Sequence, residues 1–326
     1  MKMKRIYLGI AALAALAVAG CHRDLPALRV AYTPNLPDAA AIVGVASGRY
    51  ARVAGIPVQA SVFNSGPAEI EALLGHNIDI AYVGPVPALV AFVRSKGGCV
   101  IVAGAAEGGA ALVASKLSEA RTPADLHNAR VATPQTGDTQ DVAARGYFGE
   151  LGFTSYEHGG NFRVTPAANA DLTTMFQGSF VQAAWTVEPW VTQLVEESGA
   201  RLLLDEIALW GAAPATGTYI TSVVIAREDL VKDHPEVLEA FLRLHAESTE
   251  WIKRNPAEAQ SVVADAISKS THRLFTPALM AKAWPRVHFT TEVSPALLQR
   301  NAENAARVGF LSGDPIETDK LIYRRR

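Results

Sequence analysis

Gly75-His76-Asn77-Ile78-Asp79-Ile80-Ala81-Tyr82 aligns without a gap to Gly178-Ser179-Phe180-Val181-Gln182-Ala183-Ala184-Trp185. Each stretch follows a helix-like segment that ends at its glycine, and each leads through its aromatic residue into a proline turn. Two units of the same build predict two lobes of similar architecture. Any helix–glycine–strand unit resembles another, however, and the sequence alone leaves that alternative open.

Helical and strand patterns alternate on both sides of these stretches, which predicts an α/β protein with mostly parallel sheets. The predicted strands include Leu28–Tyr32, Ile78–Val83, Arg130–Thr133 and Tyr219–Ala226, and the predicted helices include Ala39–Gly48 and Gln140–Leu151. Beyond Ala226 the pattern is helical to the end. A chain of this length exceeds what one hydrophobic core usually serves, so two cores are expected.

The N-terminus carries a basic segment, an apolar run from Ile6 to Ala19, and then Val18-Ala19-Gly20-Cys21 across the end of that run. The run is shorter than the about 20 residues that span a bilayer, and it is typical of a signal peptide. Small residues before a cysteine indicate lipoprotein processing, with Cys21 lipidated and anchored in the membrane. We therefore predict a signal peptide over residues 1–20 and an anchor linker over 21–27. An ordinary cleavage site or an uncleaved anchor helix are the alternatives.

Charge and cysteine content exclude further classes of protein. Without residues 1–20 the chain has 27 basic and 32 acidic side chains, a net charge of −5, and this argues against nucleic acid as a partner. Cys99 lies in an apolar, strand-like run. With Cys21 modified it has no disulfide partner, so it is expected to be buried.

Several turns between a predicted strand and a predicted helix could hold a ligand. Ligands of open α/β sheets bind beyond the carboxyl ends of the strands, where helix N-termini favour anions. Candidate turns are Thr33-Pro34-Asn35, Asn64-Ser65-Gly66, Val83-Gly84-Pro85, Thr136-Gly137-Asp138-Thr139-Gln140 and Trp185-Thr186-Val187-Glu188-Pro189-Trp190. No lysine or arginine occurs in them. Catalytic motifs and metal-ligand spacings of histidine are absent from the sequence, so we predict neither an enzyme nor a cofactor nor a metal site.

Several stretches resemble the nitrate/sulfonate/taurine family of ABC-transporter substrate-binding proteins, in order from about Leu28 to Phe310. They are Ser65-Gly66-Pro67, Asp79-Ile80-Ala81-Tyr82-Val83-Gly84-Pro85, Gly108-Gly109-Ala110-Ala111-Leu112-Val113, Thr122-Pro123-Ala124-Asp125-Leu126, Thr133-Pro134-Gln135-Thr136-Gly137-Asp138-Thr139-Gln140-Asp141-Val142, Ala183-Ala184-Trp185 and Glu188-Pro189-Trp190.

The resemblance implies a two-lobed periplasmic-binding fold of the second type, each lobe a mostly parallel sheet flanked by helices. It implies two hinge crossings, which we expect near Ala114–Thr122 and Thr216–Tyr219. Lobe 1 would then comprise 28–115 and, as a return strand and C-terminal helices, 219–326, with lobe 2 over 116–218. By position, the ligand-facing candidates are Asn35, Ser65, Gly66, Gly84, Pro85, Thr136, Gly137, Thr139, Gln140, Trp185 and Glu188.

The function that the resemblance implies is a monomeric solute-binding protein, lipid-anchored at the cell envelope and facing the periplasm in a Gram-negative host. It would deliver a small organic anion, an aliphatic sulfonate or a taurine-like compound, to the permease of an ABC transporter. Nitrate and thiamine precursors are alternative ligands. Similar enzymes that make the thiamine pyrimidine precursor are cytoplasmic and consume a histidine and pyridoxal phosphate, so the export signal argues against that activity.

The N-terminal pattern yields a direct prediction: mature protein extracted from cell membranes begins at a diacylglycerol-modified Cys21. Intact-mass spectrometry checks this, and an unmodified N-terminus at any other residue contradicts it. A Cys21→Ser variant is expected to be mislocalised yet to bind solute normally, because the anchor lies outside the predicted lobes.

Overall fold

Two β-sheets, each flanked by helices, form the two lobes of the protein. The structure is a computed structural model that describes residues 25–156, 159–160, 162–207, 219–312 and 316–324. The predicted signal peptide and the predicted lipid site at Cys21 therefore lie outside the described residues.

The described strands are β1 (Leu28–Tyr32), β2 (Arg52–Val53), β3 (Ile56–Val62), β4 (Ile80–Val83), β5 (Cys99–Gly108), β6 (Ala110–Ala114), β7 (Arg130–Thr133), β8 (Arg163–Pro166), β9 (Ala183–Val187), β10 (Arg201–Asp205), β11 (Ile220–Arg227) and β12 (Val287–Phe289). The first sheet has the order β12-β5-β11-β4-β1-β3-β2 and the second β10-β6-β9-β7-β8.

The described α-helices are α1 (Ala39–Ala46), α2 (Gly66–Leu74), α3 (Pro85–Arg94), α4 (Thr139–Glu150), α5 (Leu172–Gln177), α6 (Trp190–Ser198), α7 (Glu228–Asp233), α8 (Pro235–Arg254), α9 (Pro256–Thr271), α10 (Pro277–Ala283) and α11 (Pro295–Arg307). Proline at the first helical position begins many of them, where its missing N–H leaves no hydrogen bond unmade.

The α/β class and the two lobes are confirmed, but the sheets are mixed. Three parallel strands form part of each sheet, β3-β1-β4 in the first and β8-β7-β9 in the second. Antiparallel strands lie beside them: β11 pairs with both β4 and β5, and β6 pairs with both β9 and β10. These strands run antiparallel where the chain passes from one lobe to the other.

The first crossing between the lobes lies at Gly108–Gly109, and the prediction of Ala114–Thr122 is wrong. Strand β6 pairs along its whole length with β9, so residues 110–114 belong to the second sheet and not to lobe 1. Both glycines have positive φ, 76° and 82°, which glycine adopts without strain. A Cβ added to Gly109 would lie 2.6 Å from Val287 Cγ2, so space as well as conformation requires glycine there.

The returning crossing lies directly beside the first. Of the predicted Thr216–Tyr219, only Tyr219 falls within the described residues. Its hydroxyl accepts from the Ala110 N–H at 2.7 Å and donates to the Ala110 carbonyl at 3.0 Å. The Gly108 N–H donates to the Tyr219 carbonyl at 2.9 Å, and the Thr221 hydroxyl donates to the Gly108 carbonyl at 2.5 Å. The two crossings therefore form one hydrogen-bonded hinge.

The C-terminal helices pack against both lobes, although the sequence assigned them to lobe 1. Helices α8 and α9 cover α1 on the first sheet. Helix α10 contacts α6 of the second lobe, and α11 lies between α3 of the first lobe and α4 of the second. The short strand β12 also lies in this region, which the sequence predicted to be wholly helical, and it extends the first sheet beside β5.

Four clusters of buried side chains cover the two faces of each sheet. In the first lobe a buried polar chain runs through the core: the Tyr82 hydroxyl lies 3.1 Å from that of Tyr50 and 2.9 Å from His245 Nδ1, and His245 Nε2 lies 2.8 Å from the Gly104 carbonyl. Burial lowers the pKa of His245 to about 4, so the ring is neutral at physiological pH.

Cys99 begins β5 and is buried as the sequence predicts. Burial raises the pKa of its thiol to about 11, and a thiol that stays protonated is unreactive. Across the described ranges, no helix has both the length and the apolar character that crossing a bilayer requires.

Two glycines provide a matched test of the packing. A Cβ on Gly104 would lie 2.0 Å from the Glu292 carbonyl oxygen, whereas a Cβ on Gly149 in α4 meets nothing within 4 Å. We expect Gly104→Ala to lower the free energy of unfolding by about 1–3 kcal/mol through overpacking. Gly149→Ala should raise it by about 0.5–1 kcal/mol, because alanine is the better helix former. Urea denaturation measures both, and equal effects would contradict the packing described.

Candidate functional site

The candidate site is a small cavity between the lobes, where strands of both sheets end and helices begin. Its volume is about 30 Å³, room for only one or two water molecules. The lining is polar apart from two prolines, one valine and two glycines. It consists of Thr33, Asn35, Pro37, Asp38, Asn64, Gly66, Gly84, Pro134, Asp138, Gln140, Val187 and Thr221.

Asn35 joins the two lobes at one side of the cavity. Its Oδ1 accepts from Trp190 Nε1 at 2.8 Å and from Asn169 Nδ2 at 3.3 Å, both in the second lobe. Its Nδ2 donates to the Thr33 hydroxyl at 2.8 Å within the first lobe. The neighbouring Leu36 N–H donates to the carbonyl of Glu188 at 2.8 Å. The first strand–helix turn is thereby held against the start of α6.

A second set of contacts joins the lobes on the other side. The Ser65 hydroxyl is hydrogen-bonded to Gln135 Oε1, and the Val86 N–H donates to the Thr139 hydroxyl at 3.3 Å. A Cβ on Gly84 would lie 2.3 Å from that hydroxyl. Glycine at position 84 therefore permits the close approach of α4 to the start of α3.

Asp138 supplies a carboxylate to the N-termini of two helices. It begins α4, where its Oδ1 accepts from the Thr139 N–H at 2.8 Å. It also accepts from the backbone N–H of Gly66, the first residue of α2 in the other lobe. Helix N-termini attract anions. Here the Asp138 carboxylate is the anion at both helices, one in each lobe.

Two further carboxyl groups are buried beside Asp138. Asp38 accepts from the Thr33 N–H at 2.8 Å, the Thr33 hydroxyl at 2.6 Å and the Ser222 hydroxyl at 2.6 Å. Glu69, one helical turn after Gly66, is 0% exposed, and neither of its side-chain oxygens has a hydrogen-bond partner among the described residues.

Desolvation dominates the acidity of all three groups. Burial raises the pKa of Asp38 and of Asp138 to about 6, and each repels other carboxylates nearby. The pKa of Glu69 lies well above its ordinary value, because of burial first and then of repulsion by Asp38 and Asp138. The repulsion is mutual, so a positive charge placed among them would relieve it.

Gln140 is the second side chain with an unmet hydrogen bond. It lines the cavity and is 5% exposed, and its Nε2 has no partner within the described parts of the chain. A buried amide donor that lacks an acceptor costs about 1–3 kcal/mol. An acceptor that enters the cavity would regain that energy.

The structure separates the predicted ligand-facing residues into groups. Asn35, Gly66, Gly84 and Gln140 line the cavity. Ser65 and Thr139 take part in the contacts between the lobes just outside it, and Pro85 is buried at the first position of α3. Gly137 turns the chain with φ 82° and donates its N–H to Asp141 at 2.9 Å. Thr136 is exposed to solvent and does not line the cavity.

Two predicted site residues lie elsewhere. Trp185 is fully buried in the core of the second lobe, where its Nε1 donates to Glu206 at 2.8 Å. Strand alternation turns its side chain to the face covered by α4. The Glu188 carboxylate accepts from the Thr192 N–H at 3.0 Å and pairs with Arg286 at 2.7 Å. It satisfies the start of α6 and does not line the cavity.

Sequence reasoning missed Asp38, Glu69 and Thr221. Asp38 and Glu69 lie in the first turns after candidate loops, and a rule that extends each loop by one helical turn would have found them. Thr221 lies on β11, far along the chain, and only the antiparallel pairing of that strand with β4 brings it to the cavity.

Known proteins share both sequence features and the architecture of this chain. A model of the NMT1-like family matches residues 22–268. No curated protein sequence matches significantly.

Solved structures share the fold over most of the chain. The alkanesulfonate-binding protein of Xanthomonas axonopodis pv. citri bound to MOPS superposes with a TM-score of 0.74 at 15% identity, covering 93% of this chain and 99% of that one. The periplasmic aliphatic sulphonate-binding protein of Escherichia coli gives 0.70 at 17% identity, covering 93% and 94%. The periplasmic nitrate-binding protein of Synechocystis PCC 6803 gives 0.73 at 16% identity, covering 92% and 86%.

The raised pKa of Asp138 predicts a pH-dependent contribution to stability. A carboxyl whose folded pKa of about 6 exceeds its ordinary value of 3.8 binds its proton more tightly in the folded state. Folding therefore loses stability as pH rises from about 4 to about 6. We expect the stability of the wild type relative to Asp138→Asn to be greater at pH 5 than at pH 7.5, as measured by urea denaturation.

Asp125 provides the control, because it is exposed and its pKa is lowered by the N–H groups of Arg121 and Thr122. Its contribution is lost only as pH falls from the ordinary carboxyl value of 3.8 through that lowered pKa, so the difference between wild type and Asp125→Asn should be the same at pH 5 and 7.5. A pH-independent difference for Asp138→Asn as well would contradict the assignment.

Proposed function

Because the chain belongs to the NMT1-like family, we propose that it is the solute-binding protein of an ABC importer. The fold it shares with alkanesulfonate-, sulphonate- and nitrate-binding proteins supports this. These neighbours are named for the solutes that they bind. The proposed activity is therefore capture and release without chemistry.

The observation that carries the proposal is a polar cavity enclosed between two lobes whose chain crossings lie side by side at Gly108–Gly109 and Tyr219. The lobes touch through side-chain hydrogen bonds on both sides of the cavity, and such contacts can break and reform as one lobe rotates. A cavity of about 30 Å³ admits an organic solute only if the lobes separate. Binding would then favour a state closed around the solute.

The finer proposal is that the solute is an aliphatic sulfonate or a taurine-like compound, in keeping with two of the structural neighbours. The protein would act as a monomer outside the cytoplasm, anchored through Cys21, and deliver the solute to its permease. Nitrate is the second candidate, because it is small and a nitrate-binding protein shares the fold.

Solution scattering and thermal shift with sulfonates, taurine and nitrate test the proposal. At saturation we expect a smaller radius of gyration, and at 100 times the dissociation constant about 2.7 kcal/mol of added stability. No change in either quantity with any of these compounds would contradict the proposal.

Gln140 and Thr136 make a matched pair for the same assay. Gln140→Ala removes a cavity-lining donor and should weaken binding about tenfold or more, since a hydrogen bond in a buried site is worth about 1–3 kcal/mol. Thr136→Ala alters an exposed side chain of the same loop and should leave the affinity unchanged. Equal losses would show that the solute binds elsewhere.

A further inference from the structure

Carboxyl groups lie at the cavity, and no positively charged side chain among the described residues lines it to balance them. Asp38 and Asp138 line it, and Glu69 is close enough for electrostatic repulsion with both. Within the part of the chain that the structure describes, lysine, arginine and histidine are absent from the lining. Burying a carboxylate that has no positively charged partner costs free energy. The arrangement therefore favours a ligand that carries a positive charge.

The arginines that could have entered the cleft are engaged elsewhere. Arg145 pairs with Asp141 at 3.0 Å, and Arg286 pairs with Glu188 and with Asp205. Arg227 pairs with Asp79 and Asp229, at the opposite end of β11 from Thr221. None of these three arginines pairs with a carboxyl group that lines the cavity.

The first N–H groups of the helices that would attract an anion already have an acceptor. The Asp138 carboxylate accepts from the first N–H groups of both α2 and α4. The third helix, α3, begins with proline and has no N–H at that position. An incoming anion would have to displace Asp138 while it is repelled by Asp38.

An unmet hydrogen bond of the lining indicates part of what the ligand offers. Nε2 of Gln140, which lines the cavity, lacks an acceptor among the described residues. A donor atom of the ligand could hydrogen-bond to the carboxylates of Asp38 and Asp138, and an acceptor atom could hydrogen-bond to Gln140 Nε2.

We propose that the solute carries a protonated nitrogen next to a hydrogen-bond acceptor and has no net negative charge. The nitrogen faces the carboxylates of Asp38 and Asp138, and the acceptor faces Gln140. The inference rests on the proposed function and narrows it: zwitterions such as taurine and small amino alcohols fit, whereas simple alkanesulfonates and nitrate do not.

Calorimetry with three probes on one carbon skeleton tests this: 2-aminoethanesulfonate carries both groups, ethanesulfonate only the acceptor and ethylammonium only the nitrogen. We expect the first to bind at least tenfold more tightly than ethanesulfonate, with ethylammonium in between. Equal or tighter binding of ethanesulfonate overturns the inference and leaves the proposed function standing. If none of the three binds and no sulfonate or nitrate changes the radius of gyration, the proposed function falls and the inference with it.

Variants separate a charge effect from a folding effect. Asp38→Asn should reduce the preference for the amine about tenfold, but it also weakens three hydrogen bonds within the lobe. Asp138→Asn removes the other carboxylate of the lining but keeps an acceptor for the Thr139 N–H, so it should fold normally and reduce the preference as well. Asp125→Asn, on the exposed face, should leave it unchanged. An unaltered preference in folded Asp138→Asn and Asp38→Asn would overturn the inference.

Discussion

The hydrogen bonds between Tyr219 and the Gly108–Ala110 segment are the constraint on which the rest of the structure depends. They fix two crossings of the chain side by side, and helices α10 and α11 together with the hydrogen bonds beside the cavity also connect the lobes. Rotation about the crossings would open the cleft at its far side and would break the hydrogen bonds beside the cavity. Because the strands that meet at the hinge run antiparallel into both sheets, the hinge also sets the mixed topology of each lobe.

Charge within the cleft follows from the same geometry. Closing two lobes over parallel strand ends brings several helix N-termini to one place, and their dipoles favour negative charge. In this chain the negative charge is covalently present in Asp138 and Asp38. The prediction that these turns favour an anion took no account of the carboxylate of Asp138, which lies in one of them. The carboxylates in the cleft therefore favour a positively charged group on the solute over a negatively charged one.

Local pattern predicted much of the fold because hydrophobic periodicity and turn residues act over a few residues. Strands Leu28–Tyr32 and Arg130–Thr133 have the predicted bounds. The hinge was misplaced because β6 is apolar on both faces and would suit either sheet; pairing with β9, seventy residues on, decides it.

The site was less predictable, since its residues come together only through tertiary contacts. Loops identified Asn35, Gly66, Gly84 and Gln140, which the cavity brings together. An aromatic residue and an acid after a strand suggested Trp185 and Glu188, but their partners, Glu206 and Arg286, lie far along the chain. Nothing local distinguishes a side chain that faces a cleft from one that faces a core.

Cys99 has a practical consequence for measuring these motions. The sequence contains only two cysteines, and the thiol of Cys99 is 1% exposed with a pKa of about 11. In protein produced from residue 22 onward, a maleimide dye would find no reactive thiol until one is introduced. A cysteine at the exposed position 136 would then carry a single fluorophore at the rim of the cleft, and the native chain becomes an optical sensor without removal of its own cysteine.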